Sequence, residues 1–430
     1  MLENLSSTKL HLPKLTPKLI IPPYFVFLLI YATMMSGASS SFADEIITLI
    51  LIPACIKSLH SKSDINTWIF FIVYSIFALS AALISKFGGT PQPISALYDI
   101  ALDSKFPIIY FGIKHLTLKS RHPQKELAFI CSFLVLIAII NTPFVILDIF
   151  SNGTGIYGQK LTPRLGLYQP QGIFKHHVTS CWGAFFGAIC AYYLYAKSNK
   201  KETLLVAIFL SSITLAHLST KETVALIFVV SLFLLTRKTT SGLSLNILPT
   251  VVLFILILFF TPARSLIEQQ FVSYFSIDSL DSVARTALTV QSFNIANDFF
   301  PLGSGAGTYA SVPSFSLGYS EIYNKYGISS IWGASPDNPI YLLDVFWPKL
   351  LAQSGWIGML FIVFFFARIF KGSIFLFLRN RNNESWLFFS IATSTLIFST
   401  AGAPFSNEST ALVVCYFAAY ANLAYSRKLI

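Results

Sequence analysis

Charged residues are scarce in this sequence: Asp, Glu, Lys and Arg make up 11% of the 430 residues, whereas hydrophobic residues make up 54%. A soluble domain carries roughly 25% charged residues, so this scarcity excludes an ordinary soluble globular protein. Several apolar runs, most clearly 127–147 and 243–260, reach the roughly 20 residues that a helix needs to cross a bilayer. The composition therefore predicts an all-α fold, a polytopic bundle of transmembrane helices.

Cysteine is scarce as well. The five cysteines lie within or at the ends of apolar runs, and none forms a Cys-x-x-Cys pair. This distribution argues against disulfides and metal clusters, so we expect no metal or other cofactor. The net charge of +11 comes from short basic clusters between apolar runs, which is typical of membrane topology and does not indicate a nucleic-acid partner.

The apolar runs predict about twelve membrane spans. They lie near residues 19–36, 43–57, 67–85, 96–113, 127–149, 178–196, 203–218, 222–236, 243–262, 350–367, 386–400 and 408–425. The run 96–113 is the weakest prediction, because it contains Asp99, Asp103 and Lys105. The first run also resembles a signal peptide, with basic residues before it and small residues after it, but an uncleaved first span is the favoured interpretation.

The loops between the runs alternate in charge. One set, together with both termini, holds about 20 of the 30 Lys and Arg residues, and the positive-inside rule places this set in the cytoplasm. The predicted parts are a cytoplasmic tail (1–18), N-terminal transmembrane helices (19–150), a first external loop (151–177), central transmembrane helices (178–262), a large external loop (263–349) and C-terminal transmembrane helices (350–430). In the large loop, residues 263–275 and 282–296 have the spacing of amphipathic helices.

The large external loop contains PLGSGAGTY, with Gly303, Gly305 and Gly307 at alternate positions. The motif faces away from the cytoplasm, and it lacks both the Gly-Lys-Ser/Thr of a nucleotide P-loop and the spacing of a dinucleotide fingerprint, so a nucleotide site is excluded. Two interpretations remain open. The glycines either allow a sharp turn beside the helix of Arg285 or present amide N–H groups to an anion.

Arg164, Lys221 and Arg285 stand out among the external cations. Between residues 201 and 237 the chain crosses the membrane twice with roughly 17 residues per crossing, so Lys221 is held at or just below the outer surface. Such a lysine is costly unless it lines a wet cavity and meets an anion. The alternative is that it snorkels outward or pairs with Glu222. Together the three cations fit a lipid-linked pyrophosphate that arrives from the outer leaflet, although each alone is typical of a surface charge.

The order of these features resembles the bacterial O-antigen polymerase and O-antigen ligase family over residues 164–366. A basic outer loop ends in histidine (RLGLYQPQGIFKHHVTSCWGAF), and a later span ends in a Ser/Thr-basic turn (HLSTKETVAL). An arginine-led helix (VARTALTV) and the Pro-x-x-Gly-x-Gly motif (PLGSGAGTY) follow. A short polar motif then precedes a helix with paired glycines (DNPIYLLDVFWPKLLAQSGWIGMLF).

This resemblance implies a multi-pass glycosyltransferase of the bacterial inner membrane that takes glycan from undecaprenyl pyrophosphate and needs neither metal nor nucleotide sugar. The external loops would be periplasmic, and both termini cytoplasmic. Basic residues, here Arg164, Lys221 and Arg285, would bind the pyrophosphate of the lipid-linked oligosaccharide. Membrane lipid and a chain-length regulator protein are the other partners that we expect.

The sequence departs from the family pattern at three places. The ligases usually have His-Asn where this chain has Asp337-Asn338, and Arg where it has Lys221. Arg164 also stands farther from His176 than is usual, so two alignments of the first loop are possible. The acidic residue in place of the ligase histidine favours a polymerase over a ligase.

Asp337 is the candidate base for the attacking sugar hydroxyl, by its position in the motif. The alternative is structural, because SPDNPIYLL also has the pattern of a helix start, with Asn338 as N-cap and Pro339 at the first helical position. His176 and His177, an adjacent pair in the first external loop, are the rival catalytic candidates. They would otherwise contact phosphate or sugar, or cap the helix that follows.

Aromatic residues near the glycine motif, among them Tyr309, Tyr323 and Trp332, either stack on sugar rings or form the apolar belt at the interface. Polymerase is thus the leading functional hypothesis, with O-antigen ligase as the nearest alternative. A polysaccharide transporter or flippase is the alternative from another class. Charges near the middle of the membrane would favour transport, whereas the charges noted above collect at the outer surface.

Overall fold

The computed structural model describes residues 43–85, 92–120, 122–164, 167–174, 176–236 and 284–427. Its helices are α1 (Ala43–Ser58), α2 (Lys62–Ser85), α3 (Gln92–Leu118), α4 (Pro123–Phe150), α5 (His177–Ser198), α6 (Lys201–Ala216), α7 (Thr220–Thr236), α8 (Ala284–Asp298), α9 (Pro313–Ser316), α10 (Glu321–Lys325), α11 (Phe346–Asn380), α12 (Asn383–Ser399) and α13 (Glu408–Arg427). The smaller elements are the antiparallel strands β1 (Pro163–Arg164) and β2 (Leu167–Tyr168) and the 3-10 turns Gly172–Phe174 and Ile328–Ser330. The predicted helical class is confirmed for the described chain.

Each predicted span inside the described ranges corresponds to a helix, and the ends agree within about five residues except at one place. The predicted end of the span 350–367 is wrong, because α11 continues through the basic segment to Asn380. Within the described ranges, three helices are long and apolar enough to cross a membrane: Lys62–Ile84, Pro123–Phe150 and Phe346–Asn380. The chain thus has the helix lengths and composition of a membrane protein, and the number of spans stays a prediction. The predicted tail, the predicted spans 19–36 and 243–262 and the predicted helix 263–275 lie outside the described residues.

Short turns reverse the chain at one end of the bundle, as at 59–61 between α1 and α2 and at 381–382 between α11 and α12. The longer connections 151–176 and 299–345 lie at the opposite end, which we call the loop end. A hydrogen bond of 2.8 Å from Trp347 Nε1 to Ser399 Oγ joins the start of α11 to the end of α12 there. The loop end therefore brings together segments that are far apart in sequence.

Large apolar side chains cover the outward faces of the helices. Leu83, Phe150, Leu205 and Leu235 are between 66% and 83% exposed. The inward faces pack into a contiguous core that includes fully buried aromatic residues such as Trp386. An exposed apolar surface of this extent is typical of a lipid-facing bundle.

The glycine motif of the large loop packs into a break in α11. Gly355 has φ 65° and ψ −172°, which interrupts the helix and leaves carbonyl groups of the preceding turn without their usual helical partners. The amides of Ser304 and Gly305 bond to two of these carbonyls, those of Ala352 (2.8 Å) and Gln353 (2.9 Å). The loop thereby closes the break and is fixed to α11.

Gly303 and Gly307 lie where a side chain has no room. Both have positive φ, 79° and 76°, and a Cβ on Gly303 would lie 2.5 Å from the nitrogen of Gly355. A Cβ on Gly307 would lie 2.7 Å from the carbonyl oxygen of Ser95, and its amide donates to the Asp99 carboxylate at 2.9 Å. These glycines therefore allow the loop to pack closely against the helices. The Gly307 amide does bind an anion, but that anion is the carboxylate of Asp99 in the same chain.

The large loop has a small core of its own, built on α8 and the segment 309–345. Tyr309 and Tyr323 are fully buried in it, and the Tyr309 hydroxyl donates to the Leu288 carbonyl. The prediction that these two tyrosines stack on sugar rings is therefore wrong, because their rings are covered by protein. Trp332 is 65% exposed and lies edge-on to Tyr341, with 5.6 Å between ring centroids.

Candidate functional site at the loop end

Lys221 lies in the first turn of α7 with 18% of its side chain exposed. Its Nζ atom is 2.6 Å from the carbonyl oxygen of Ala401, in the turn that follows α12, and 3.5 Å from that of Phe398, in the last turn of α12. The last carbonyls of a helix lack intrahelical partners and carry partial negative charge, so they stabilise a cation. Nζ also lies 3.8 Å from Glu222 Oε1, so the predicted pairing with Glu222 is present but is longer than the contact with Ala401.

Glu222 is fully buried and has its own partners. Trp182 Nε1 donates to Glu222 Oε1 at 2.8 Å, and the Ser219 hydroxyl donates to Oε2. The Lys221 ammonium lies 5.8 Å from the centre of the Trp182 ring. These contacts fix the start of α7 against α5 and hold Lys221 near the end of α12.

Arg164 reaches the same turn from the first external loop. It ends β1, and its guanidinium donates to Thr220 Oγ1 at 3.1 Å. Thr220 is the residue directly before Lys221, so two of the three predicted cations come to one turn although they are far apart in sequence. The hairpin of β1 and β2 presents Arg164 at this place.

A buried carboxylate anchors the first external loop. Asp148, in the last turn of α4, accepts hydrogen bonds from the backbone amides of Ile156 (3.1 Å), Gln171 (2.9 Å) and Gly172 (2.7 Å). Three amide donors satisfy a carboxylate well in a buried position. The loop that carries Arg164 is thus fixed to the bundle on both sides of the hairpin.

His217 forms a second anchor at the end of α6. It is fully buried, its Nε2 atom lies 2.9 Å from Ser180 Oγ, and its carbonyl accepts a hydrogen bond of 3.1 Å from Gln169 Nε2. Asn141 Nδ2 donates to the same Ser180 hydroxyl at 2.9 Å. His217 therefore has a structural role, which the sequence position near the end of its span did not reveal.

Arg285 pairs with a carboxylate that the sequence reasoning missed. It is the second residue of α8, and its Nε and Nη2 atoms both donate to Asp344 Oδ2, the first at 3.0 Å. The guanidinium also lies 5.2 Å from the centre of the Tyr341 ring. About one third of each side chain in the ion pair is exposed, so the pair is accessible from outside.

His176 and His177 are within electrostatic reach of these charged groups. Their rings stack with 4.9 Å between centroids. The charges of Asp344 and Lys221 act on His176, and those of Arg164 and Arg285 act on His177. The three predicted cations and the predicted histidine pair therefore share one electrostatic environment.

His176 is exposed to solvent, and the protein around it partly desolvates its ring. Burial lowers its pKa below the ordinary value of 6.5, the Asp344 carboxylate raises it and the Lys221 ammonium lowers it further, with a net lowering. His176 occupies the N-cap position of α5, but its side chain makes no capping hydrogen bond there. The direction of this shift favours the neutral imidazole.

Asp337 and Asn338 lie elsewhere in the loop. Asp337 is exposed in a turn, and Asn338 closes this turn through a backbone hydrogen bond of 3.1 Å to Ser335. The predicted helix start at this motif is wrong, because α11 begins only at Phe346. Within the described chain, no contact joins Asp337 to the three cations. The pattern Asp-x₆-Asp before a long apolar helix was the available signal for Asp344.

A second charged cluster lies deeper in the bundle. Lys349 Nζ is 2.9 Å from Asp99 Oδ1 and 2.6 Å from Asp103 Oδ1, and the Tyr74 hydroxyl donates to Asp103 Oδ2 at 2.9 Å. Lys105 pairs with Glu45 at 2.7 Å. The acidic residues that made 96–113 the weakest predicted span are therefore compensated by ion pairs across α3 and α11.

The comparisons with known proteins add no family assignment to this geometry: the chain matches no protein-family model and no curated protein.

Proposed function

We propose that this chain is an O-antigen polymerase, a multi-pass glycosyltransferase of the bacterial inner membrane. It would join oligosaccharide repeat units that are linked to undecaprenyl pyrophosphate. The observation that carries the proposal is twofold: Arg164 and Lys221 come to one turn from distant segments, and the charges of Lys221, Arg164 and Arg285 all act on the pair His176 and His177.

The proposal includes a topology of about twelve spans with the loop end in the periplasm and both termini in the cytoplasm. The basic clusters support it, because they occur in the turns at the opposite end, as in KSNKK and RNR. A periplasmic site suits a donor whose lipid carrier sits in the outer leaflet. It also suits a reaction in which the leaving pyrophosphate supplies the driving force and no nucleotide is present.

The charge pattern suits a pyrophosphate. A guanidinium has five N–H donors and binds a phosphate through two of them, whereas an ammonium acts as a compact point charge. Lys221 is held mainly by neutral carbonyl groups, so its positive charge is only partly compensated by Glu222. Fixed cations of this kind stabilise the negative charge that develops on a leaving group without reorganisation.

The reaction is a displacement at the anomeric carbon of the donor sugar. A hydroxyl oxygen of the acceptor forms a bond to that carbon, and the bond from the carbon to the pyrophosphate oxygen breaks with its electron pair. The hydroxyl proton passes to a base on the enzyme. The products are a glycan longer by one repeat unit and free undecaprenyl pyrophosphate.

His176 is the base that its electrostatic surroundings favour, because the charges of Asp344 and Lys221 both act on it. Its lowered pKa leaves it neutral and able to accept a proton, and the Asp344 carboxylate would stabilise the imidazolium that forms. His177 stacks on its ring and would orient it. Asp337, the candidate by motif position, is exposed in a turn and has no described contact with the cations.

Deletion of the gene in its bacterial host, followed by gel analysis of surface polysaccharide, tests the proposal. We expect core that carries a single repeat unit. Loss of all repeats from the core, with polymer retained on the carrier lipid, would indicate an O-antigen ligase. Repeat units trapped on the cytoplasmic leaflet would indicate a flippase, and an unchanged ladder would contradict all three functions.

Complementation of the deletion then tests the site. Arg285→Gln is expected to leave the single-repeat pattern, because it removes the guanidinium that binds pyrophosphate. Lys160→Gln, which changes an exposed lysine of the first external loop, is the matched control and should restore the full ladder. Equal complementation by both variants would contradict the assignment of the site.

A further inference from the structure

A cavity of about 330 Å³ opens at the loop end between α3, the start of α11 and the turn between α12 and α13. Its rim includes Leu343, which is 40% exposed, and the exposed Ser406. Its floor includes the charged cluster of Asp99, Asp103 and Lys349. None of the three cations assigned to pyrophosphate lines it.

The charged groups of the lining balance one another. Asp99 and Asp103 contact the ammonium of Lys349, and Lys105, which also lines the cavity, is paired with Glu45. Such a surface suits a neutral ligand rich in hydroxyl groups. Hydroxyl groups donate to carboxylates and accept from an ammonium, so both kinds of group on the floor would be satisfied.

Ser311 supplies a buried hydroxyl without a partner. The residue lines the cavity and is 2% exposed, and no hydrogen-bond partner for its Oγ atom lies among the described residues. Buried hydroxyl groups are nearly always hydrogen-bonded in folded proteins. A ligand hydroxyl in the cavity would provide this missing hydrogen bond.

Aromatic rings form the apolar part of the wall. Phe405 lies 5.2 Å from Phe106 and 5.0 Å from Phe346 between ring centroids, and all three residues line the cavity. A sugar ring has apolar C–H faces and a polar rim of hydroxyl groups. The cavity thus combines the two kinds of surface that a sugar presents, in the size range of small-molecule sites.

The cavity lies beside the candidate active site. Leu343 and Val345 line it, and Asp344 between them pairs with Arg285. We propose that this cavity binds a sugar of the acceptor glycan and presents its hydroxyl toward the pyrophosphate site. This inference rests on the proposed function and adds a separate acceptor subsite, with Ser311 and the carboxylate cluster as its polar groups.

Two variants and a matched control test the inference. Ser406→Trp blocks the rim, Ser311→Val removes the buried hydroxyl, and Ser330→Trp places the same new side chain on an exposed residue away from the cavity. The probes are farnesyl diphosphate and the soluble oligosaccharide released by mild acid from the host's lipid-linked glycans. Binding of each probe to the purified full-length chain in detergent is measured by thermophoresis.

We expect the oligosaccharide to bind wild type and Ser330→Trp equally, and to bind Ser406→Trp and Ser311→Val at least about tenfold more weakly. Farnesyl diphosphate should bind all four proteins alike. Oligosaccharide binding that neither variant weakens, or that wild type lacks, overturns the inference even if farnesyl diphosphate binds, in which case the proposed function stands. Loss of farnesyl diphosphate binding in Ser406→Trp would mean that the cavity holds the lipid carrier and would also overturn it.

Discussion

Lys221 and Lys349 lie at the same end of the bundle, yet their surroundings differ in one respect that decides their roles. Lys349 contacts two carboxylates at 2.9 and 2.6 Å, so its charge is fully compensated inside the protein. Lys221 contacts neutral carbonyls at 2.6 and 3.5 Å, and its nearest carboxylate oxygen lies at 3.8 Å. A cation held by carbonyl groups keeps its charge for a ligand, whereas a cation held by carboxylates mainly stabilises the fold.

The largest expected effect comes from a substitution that breaks the charged cluster of Lys349, Asp99 and Asp103. Lys349→Met leaves Asp99 and Asp103 buried without their cation, and loss of one partner of a buried ion pair costs about 3–5 kcal/mol. We expect a large fall in melting temperature of the purified protein in detergent.

Two further variants control this prediction. Adding Asp99→Asn and Asp103→Asn to Lys349→Met should recover part of the lost stability, because the uncompensated charges are gone. Lys160→Met removes an exposed lysine at the loop end and should leave the melting temperature almost unchanged. A Lys349→Met protein as stable as wild type would show that the cluster does not hold α3 and α11 together.

The next largest effect is expected on catalytic activity. Arg285→Gln removes the guanidinium that would stabilise the leaving pyrophosphate, and loss of one such donor lowers the rate about 10²–10³-fold. Its ion pair with Asp344 is one third exposed, so the cost in stability should stay below about 1 kcal/mol. Polymerisation of lipid-linked repeats by the purified protein, read beside its melting temperature, separates the two quantities. If the variant lost stability and activity together, Arg285 would have a structural role like that of Lys349.

A third prediction compares the stability cost of alanine at Gly307 with that at Gly327. Both have positive φ, 76° and 69°, so alanine is strained at each by about 1–2 kcal/mol. At Gly307 a Cβ would also meet the Ser95 backbone at 2.7 Å and displace the amide that donates to Asp99, whereas at Gly327 nothing lies within 4 Å. Gly307→Ala should therefore cost about 1–3 kcal/mol more than Gly327→Ala. Equal thermal stability of the two variants would contradict the docking of the glycine motif on α3.

Most of the long helices could be predicted from sequence because each depends on its own apolar run, but the basic residues from Arg368 onward concealed the continuation of α11 to Asn380. The same local information placed Lys221 and Arg285 correctly at the ends of their helices. It could not reveal the break at Gly355, because a glycine in an apolar helix leads to a break only when another segment bonds to the carbonyl groups set free. Here that segment is the glycine motif, about fifty positions earlier in the chain.

Asp344 and Lys349 show the same limit for charges. Their partners, Arg285 and Asp99, are remote in sequence, so neither pair could be read from local spacing. Asp337 was predicted as the base from its position in a motif, and a motif does not show which residues surround that position in the fold. The structure shows the surroundings, and they favour His176, which the sequence placed only as a rival.

The smallest expected effect is a shift in the pKa of His176, and its sign distinguishes the two charges that act on it. Asp344 raises this pKa and Lys221 lowers it, so Asp344→Asn should lower the titration midpoint further below the ordinary 6.5 and Lys221→Met should raise it. Histidine NMR on isotope-labelled protein, with the signal assigned by its loss in His176→Gln, measures both shifts. A histidine is mostly deprotonated, and so can act as a base, only above its pKa. The acid limb of the pH–activity profile should therefore move in the same direction as the pKa in each variant. Shifts of the same sign in both variants would show that the two charges do not act on His176 in opposite directions. That result would contradict the assignment of His176 as the base beside the pyrophosphate.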